Sequence, residues 1–251
     1  MSGFLQDKVA VVTGGTRGIG RAIAEALLRE GAAVAICGRS EAGVRQAVEA
    51  LASLGRACGR AADVGRWGDV EALFRYVESE LGGVDILVNN AGSLVRRARL
   101  LEFTDELFDQ VMTLNFRSAW MITQAVVPSM LRKGSGVIVN VSSIAGRTGG
   151  GLGATVYAAA KAAITAMTKG LARELAPHGI RVNAISPGTV DNYFHQRFST
   201  RQMLEAVIAQ TPAGRLGTNE EMADVIVFLC SDAARYIHGQ TIEINGGFYA
   251  P

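Results

Sequence analysis

The chain of 251 residues is 49% hydrophobic and 19% charged, which is typical of a globular protein with enough apolar material for a sizeable core. Its formal net charge of +2 is too small for the basic surface of a nucleic-acid-binding protein, and no apolar run approaches the roughly 18 residues of a membrane span. The three cysteines are scattered and odd in number, which favours a reducing compartment over a disulfide framework, and Asp7 and Lys8 interrupt any signal-peptide core. We therefore expect a cytoplasmic protein without nucleic-acid or membrane partners.

Short β-branched segments alternate with longer helical patterns along the whole chain. The predicted strands lie at 8–14, 32–38, 84–90, 136–143, 180–186 and 240–247, with a weaker candidate at 56–64. The predicted helices lie at 20–31, 41–55, 69–82, 104–134 and 154–179. The strands are nearly continuous in apolar character, as strands covered on both faces should be. This alternation predicts βαβ units and a parallel sheet in one α/β domain over residues 1–251.

One long segment, residues 188–217, interrupts the alternation before the last strand. It is predicted to be part loop and part helix, and a segment of this kind beside a cleft is often a lid. We call it the lid segment. Tyr193, Phe194 and Phe198 make it partly aromatic, and we expect His195 to be a surface residue.

The first predicted strand runs into a glycine-rich turn, TGGTRGIG at residues 13–20. Gly14, Gly18 and Gly20 permit a tight turn and let backbone N–H groups approach a pyrophosphate at a helix N-terminus. A glycine-rich turn alone is also compatible with an ordinary loop. Its position between a strand and a helix favours dinucleotide binding.

A second motif, YAAAK at residues 157–161, places a tyrosine and a lysine at i and i+4 in a predicted helix. The two side chains therefore share one helix face. Without further context, a half-buried tyrosine beside a solvated lysine is the favoured interpretation. The other motifs of the chain must decide between these interpretations.

Together the motifs resemble the short-chain dehydrogenase/reductase family in type and order. They are TGxxxGIG at 13–20, NNAG at 89–92, Asn115, VSS at 141–143, YAAAK at 157–161 and PG at 187–188. Each motif is weak alone, but the ordered set is specific and covers essentially the whole chain. The resemblance implies a doubly wound, Rossmann-like sheet of about seven parallel strands with helices on both faces. It also implies hydride transfer between a nicotinamide cofactor and a carbonyl or secondary alcohol.

The resemblance further implies four catalytic residues: Asn115, Ser143, Tyr157 and Lys161. Tyr157 would exchange a proton with the substrate oxygen, because the Lys161 ammonium and the nicotinamide charge would lower the pKa of its phenol from about 10. Ser143 would position the carbonyl, with its neighbour Ser142 as the alternative. Asn115 would hold a water that links the lysine to solvent, unless it is only a helix irregularity.

The resemblance implies that six segments bind the cofactor. The implied residues are Gly14, Gly15, Thr16, Arg17, Gly18, Ile19, Arg39, Ser40, Asp63, Val64, Asn90, Ala91, Gly92, Tyr157, Lys161, Pro187, Gly188 and Val190. Family members that prefer NAD carry an acid at the end of the second strand, where it would repel a 2′-phosphate, and this chain has Gly38 there. Arg39 would bind that phosphate and Arg17 lies in the same region, so we expect NADP(H). The alternative is that Arg39 is merely a solvated strand-end residue.

Two substrate classes compete. The C-terminal stretch 211–247 resembles 3-oxoacyl-thioester reductases, including those that use acyl carrier protein, whereas RRARLLEF at 96–103 resembles members that act on sugar acids such as gluconates. Arg96, Arg97 and Arg99 suggest the hypothesis of an anionic substrate, and a solvated loop face is the alternative.

Three further positions depart from what the resemblance implies. Members that use acyl carrier protein tend to carry basic residues where this chain has Gly134 and His178. Asn192 stands where a threonine commonly follows the PG motif.

Helices 104–134 and 154–179 are too apolar over too many faces to be covered by one sheet. The resemblance implies that these helices pair across two-fold axes, so we expect a homotetramer. HExxH, CxxC and GxSxG are absent from the sequence, and we expect no metal. A catalytically silent nucleotide-binding sensor is the remote alternative to an enzyme acting on a small molecule.

Overall fold

A sheet of seven parallel strands forms the centre of the protein, as predicted. The computed structural model describes residues 3–250, and its strands are β1 (Val9–Thr13), β2 (Ala33–Gly38), β3 (Ala57–Ala61), β4 (Ile86–Asn89), β5 (Gly136–Val141), β6 (Ile180–Pro187) and β7 (Thr241–Ile244). They lie in the order β3-β2-β1-β4-β5-β6-β7, and every adjacent pair is parallel. The order therefore reverses between β1 and β4, where doubly wound folds bind their ligands.

Helices cover both faces of this sheet. They are α1 (Gly18–Arg29), α2 (Glu41–Leu51), α3 (Trp67–Leu81), α4 (Asp105–Met112), α5 (Ser118–Lys133), α6 (Ala145–Thr148), α7 (Thr155–Leu175), α8 (Tyr193–Phe198), α9 (Arg201–Gln210) and α10 (Asn219–Cys230). Apolar residues of α1, α2 and α10 pack on one face, and those of α3, α5 and α7 pack on the other. Within residues 3–250, none of these helices combines the length and the apolar character needed to cross a membrane.

The predicted helix 104–134 is divided by one wide turn. Residues Thr113–Arg117 form a π-helical turn between α4 and α5. The Asn115 side chain explains the wide turn, because its Nδ2 donates to the carbonyl oxygen of Val111 at 2.8 Å, four residues earlier. That carbonyl would otherwise accept the backbone N–H of an α-helix.

The lid segment contains two short helices, as expected from its composition. The Asn192 side chain caps α8 by accepting from Phe194 N at 3.0 Å, and the Thr200 side chain caps α9 by accepting from Met203 N at 3.2 Å. A parallel bridge between Val190 and Gly217 joins the two ends of the segment. The caps fix where α8 and α9 begin, and the bridge keeps the two ends of the segment together.

Candidate active site

A cleft of about 700 Å³ opens at the carboxyl ends of the strands, beside the point where the strand order reverses. Ligand sites typically enclose roughly 300–1,000 Å³. Residues that follow each of the seven strands line it, together with the lid segment. Among residues 3–250, no cluster of His, Cys, Asp or Glu could hold a metal ion.

The cleft brings together most of the residues that the motifs single out. Those lining it are Gly14, Thr16, Arg17, Gly18, Ile19, Arg39, Asp63, Val64, Asn90, Ala91, Gly92, Ser143, Tyr157, Lys161, Pro187, Gly188 and Val190. Gly15 does not line it, because this residue packs against β2, where a Cβ would lie 2.6 Å from the Ile36 side chain. Ser40 does not line it either, because its hydroxyl caps α2 by accepting from Gly43 N at 3.2 Å.

The glycine-rich turn and the end of β4 are hydrogen-bonded to each other. Asn90 Nδ2 donates to the carbonyl oxygens of Thr13 at 2.8 Å and Gly14 at 3.3 Å. The Thr13 hydroxyl oxygen accepts from the backbone N–H groups of Asn90 and Ala91. Thr13 was missed in the sequence, although its place at a strand end before the glycines marks it as a residue able to orient the turn.

The glycine turn leaves space only for backbone. A Cβ at Gly20 would lie 2.3 Å from the carbonyl oxygen of Gly14. Helix α1 begins beside this turn at Gly18, and among the described residues the side chain of Arg17, its N-cap, accepts no hydrogen bond from the first helical turn. The N–H groups of the first helical turn are therefore available to an anion in the cleft.

The region after β2 is open and basic. A Cβ at Gly38 would lie 2.9 Å from Thr16 Cγ2, so a side chain at this position would crowd the glycine turn. Arg39 is exposed at the cleft. The Arg17 guanidinium stacks 4.0 Å from the centre of the Tyr193 ring, and it therefore contacts the lid segment as well as the glycine turn.

Hydrogen bonding distinguishes the two neighbouring serines. The buried Ser142 hydroxyl donates to the backbone oxygen of Lys161 at 2.7 Å, which fixes β5 to α7. The Ser143 hydroxyl oxygen accepts from Ala145 N at 3.1 Å, and Ser143 is half-buried at the cleft. The Ser143 hydroxyl also pairs with the Tyr157 phenol, and both side chains line the cleft.

Tyr157 and Lys161 share one face of α7, as the motif predicts. The Lys161 side chain is 3% exposed, and its Nζ donates to the carbonyl oxygen of Val141 at 2.8 Å. It lies 5.8 Å from the centre of the Tyr157 ring. Burial lowers the pKa of Lys161 to about 8, so the amine is still mostly protonated at neutral pH.

The pKa of the Tyr157 phenol is raised in this structure, whereas a lowered value is expected from the sequence. Burial raises the pKa of Tyr157 to about 12, and hydrogen bonding with Ser143 only partly opposes the rise. In the protein itself, removal of the phenol from water therefore outweighs the hydrogen bond with Ser143. The tyrosine is protonated at neutral pH, which is the form that can donate a proton to a carbonyl oxygen.

Asn115 lies below the cleft and does not line it. It is 1% exposed, its Oδ1 accepts from Ser93 N at 3.0 Å, and its Nδ2 donates to Ser93 O at 2.7 Å. A Cβ at Gly92 would lie 2.8 Å from that Oδ1 and 3.0 Å from Lys161 Nζ. The glycine thus lets the chain pass close to both groups, and the water-holding role of Asn115 stays a prediction.

The lid segment places aromatic rings beside Tyr157. The Phe194 ring lies 5.9 Å from the Tyr157 ring and 5.1 Å from the Phe198 ring. The expectation that His195 is a surface residue is wrong, because it is half-buried and lines the cleft. Its Nδ1 lies 3.0 Å from Ser199 Oγ, and burial lowers its pKa to about 4, so it is neutral at physiological pH.

The three clustered arginines have different positions. Arg97 is half-buried and lines the cleft, whereas Arg96 and Arg99 are exposed and do not line it. Of the three arginines, only Arg97 therefore lies where it could contact an anionic substrate in the cleft. Asn192 lines the cleft too, but its Nδ2 donates to Asn219 Oδ1 at 3.0 Å.

Comparison with known proteins agrees with this geometry. A family model described as enoyl-(acyl carrier protein) reductase matches residues 14–249. The chain is 41% identical over 245 residues to a 3-oxoacyl-(acyl-carrier-protein) reductase of Vibrio cholerae, a match that covers 98% of each protein. It is 40% identical over 244 residues to the Escherichia coli protein of that name, covering 97% of this chain and 98% of the relative. The Staphylococcus aureus protein of that name is 39% identical over 247 residues, covering 96% and 98%.

Proposed function

Because the chain belongs to the short-chain dehydrogenase/reductase family, we propose that it reduces the keto group of 3-oxoacyl thioesters with NADPH. The observation that carries the proposal is a protonated, half-buried Tyr157 beside Ser143 and Lys161, in a cleft that continues to the glycine turn. An oxidoreductase acting on CH–OH and C=O groups needs such a proton donor next to its cofactor site.

The residues of the cleft fit a dinucleotide phosphate. Gly14 and Gly20 form a cradle in which an added Cβ would meet backbone, and the open N-terminus of α1 suits a pyrophosphate. Gly38 places no acidic side chain where it would repel a 2′-phosphate, and Arg39 at the cleft would bind this phosphate. These features support NADP(H) over NAD(H).

In the proposed reaction the chain supplies positioning and a proton. NADPH, when bound, supplies the hydride that the carbonyl carbon accepts. The Ser143 hydroxyl donates a hydrogen bond to the substrate carbonyl oxygen, and Tyr157 transfers its phenolic proton to the same oxygen. The Lys161 ammonium stabilises the phenolate that remains. Val141 holds Lys161 in place through its carbonyl oxygen.

The substrate end of the cleft favours an acyl chain over a sugar acid. Phe194 and Phe198 line it beside Tyr157, and the apolar residues Leu204, Val207 and Phe248 line it further along. A polyhydroxylated substrate would need hydrogen-bonding partners in place of these side chains. The relatives are named as reductases of 3-oxoacyl-(acyl-carrier-protein), which supports an acyl substrate, and a sugar-acid dehydrogenase is the alternative.

The proposal includes the assembly and the setting of the enzyme. One domain over residues 1–251 would carry the lid segment as its substrate cover. A groove between α5 and α7 is lined by Phe116, Trp120 and Met167, of which Trp120 is exposed, and this apolar groove supports pairing of subunits into a homotetramer. Three free cysteines support a reducing, cytoplasmic setting.

The test is oxidation of NADPH by the purified protein with 3-oxobutanoyl-coenzyme A, compared with 5-ketogluconate. We expect turnover with the thioester and at least tenfold lower kcat/KM with the sugar acid, about the effect of a lost apolar contact. Tyr157→Phe removes one oxygen and keeps the ring, so it should abolish turnover and leave the Kd of NADPH nearly unchanged. Preference for ketogluconate would favour the alternative, and tight NADPH binding without any turnover would favour the sensor.

A further inference from the structure

Arg97 connects two segments that border the substrate end of the cleft. Its Nε donates to the carbonyl oxygen of Phe198, at the end of α8, at 2.7 Å, and its Nη1 donates to the carbonyl oxygen of Leu152 at 2.7 Å. These acceptors lie 101 and 55 residues away in the sequence. One half-buried side chain thus holds together the lid segment and the loop that precedes α7.

The loop that contains Leu152 depends on such contacts for its position. Gly149, Gly150 and Gly153 all have left-handed backbone conformations, so the loop has little local preference of its own. Ala98 N donates to the carbonyl oxygen of Gly153 at 3.2 Å, and a Cβ at Gly153 would lie 3.2 Å from the Cβ of Arg97. The loop therefore lies against Arg97 and its neighbour over a short stretch.

The same contacts reach the proposed proton donor through the lid segment. Arg97 binds the backbone of Phe198, whose ring lies 5.1 Å from the Phe194 ring, which lies 5.9 Å from the Tyr157 ring. Release of the Phe198 carbonyl would let α8 and its aromatic side chains move away from Tyr157. The width of the substrate end of the cleft then depends on Arg97.

We propose that Arg97 is a positioning residue that fixes α8 and the loop 149–154 around the substrate, and not a binding site for an anionic group. The proposal rests on the proposed function for its substrate. A bidentate grip on a carboxylate uses two of the three guanidinium nitrogens. The single N–H of Nε already donates to the carbonyl oxygen of Phe198, so the pair of Nε and Nη2 is not open to a carboxylate. One of the two N–H groups of Nη1 donates to the carbonyl oxygen of Leu152, which leaves a grip through Nη1 and Nη2 as the only bidentate mode open to this side chain.

The chain provides matched controls for this proposal. Arg96 and Arg99 belong to the same stretch and carry the same charge, but they are exposed and do not line the cleft. Arg97→Lys keeps the charge and loses the rigid fork that serves two acceptors at once. A role in positioning therefore predicts that lysine fails to replace arginine, whereas a role of charge alone predicts that it succeeds.

Hydrogen exchange of the unliganded protein tests the positioning role directly. In Arg97→Ala, exchange of the amides in 149–154 and 193–198 should accelerate by about tenfold to a hundredfold, as expected for loss of a charge-assisted hydrogen bond. Arg96→Ala and Arg99→Ala should leave it unchanged. Unaltered exchange at both segments in Arg97→Ala would overturn the proposal, whether or not the protein has the proposed activity.

Steady-state kinetics separate positioning from anion binding. Ethyl 3-oxobutanoate is neutral and 3-oxobutanoyl-coenzyme A is anionic, and Arg97→Ala should raise KM for both by about tenfold with the Kd of NADPH unchanged. A loss confined to the coenzyme A substrate, with recovery in Arg97→Lys, would overturn the proposal. If the wild-type protein reduces neither ketone, the proposed function fails, while the exchange experiment still decides the role of Arg97.

Discussion

We predict that Lys161 makes the free energy of unfolding depend on pH, and that the substitution Lys161→Met removes this contribution. Its side chain is 3% exposed, and burial lowers its pKa from 10.5 to about 8. At about 1.4 kcal/mol for each tenfold change in proton affinity, keeping the ammonium folded costs about 3 kcal/mol below pH 8. The hydrogen bond to Val141 O offsets about 1.5–3 kcal/mol of this. Lys161→Met should therefore have a free energy of unfolding near that of the wild type at pH 7.

The pH dependence is the sharper measurement. The unfolded chain keeps the lysine proton up to about pH 10.5 and the folded chain releases it near pH 8, so the unfolded state binds more protons between these values. The contribution of Lys161 to the free energy of unfolding must then rise with pH in this window. Burial raises the pKa of Cys37, Cys58 and Cys230, which act with the opposite sign as their unfolded thiols titrate, and these contributions cancel in the comparison with Lys161→Met. Relative to Lys161→Met, the free energy of unfolding of the wild type should rise by about 2 kcal/mol between about pH 7.5 and 9.5. Work below pH 10 avoids the titration of Tyr157, which acts with the opposite sign above that pH.

Urea unfolding at one fixed protein concentration is the assay, because subunit association adds a concentration-dependent contribution. Lys169→Met is the control, since Lys169 is an exposed lysine of the same helix. Stability curves of wild type and Lys161→Met that run parallel across the window would refute the reasoning. Lys161→Met should also lose turnover, so that a nearly unchanged fold and a lost activity occur in one variant.

Three further outcomes are expected. Arg39→Ala should reduce the preference for NADPH over NADH by about tenfold to a hundredfold, measured by titration of both cofactors, and equal affinities in the wild type would contradict the phosphate site. Gly92→Ala should lower both thermal stability and kcat, because its Cβ would lie 2.8 Å from Asn115 Oδ1, and an unchanged Tm would mean that the site relaxes easily. Light scattering should give about four times 26.5 kDa, and Trp120→Glu, at a side chain 46% exposed in the α5–α7 groove, should reduce that mass. A monomer mass for the wild type at micromolar concentration would exclude the tetramer.

Much of the fold follows from local pattern. Continuous apolar runs alternating with amphipathic helices predicted all seven strands and the parallel sheet, including the weak strand β3 at Ala57–Ala61. The order of short motifs predicted which strand ends would meet, because the carboxyl ends of parallel strands share one edge of the sheet. The local pattern does not predict the π-helical turn at Asn115, because this turn depends on a side chain that competes with the backbone for the carbonyl oxygen of Val111.

Features of the site that depend on burial or on distant partners were decided only by the tertiary structure. Ser142 and Ser143 are adjacent and identical in type, and the backbone of α7 binds one hydroxyl while the other remains at the cleft. The pKa of Tyr157 rises because several elements remove it from water, which no helix spacing can express. Arg97 differs from Arg96 and Arg99 in its hydrogen bonds, because it donates to backbone carbonyls that lie 101 and 55 residues away in the sequence. Sequence spacing determines which residues share an element, whereas desolvation and long-range hydrogen bonds arise only once the elements have packed.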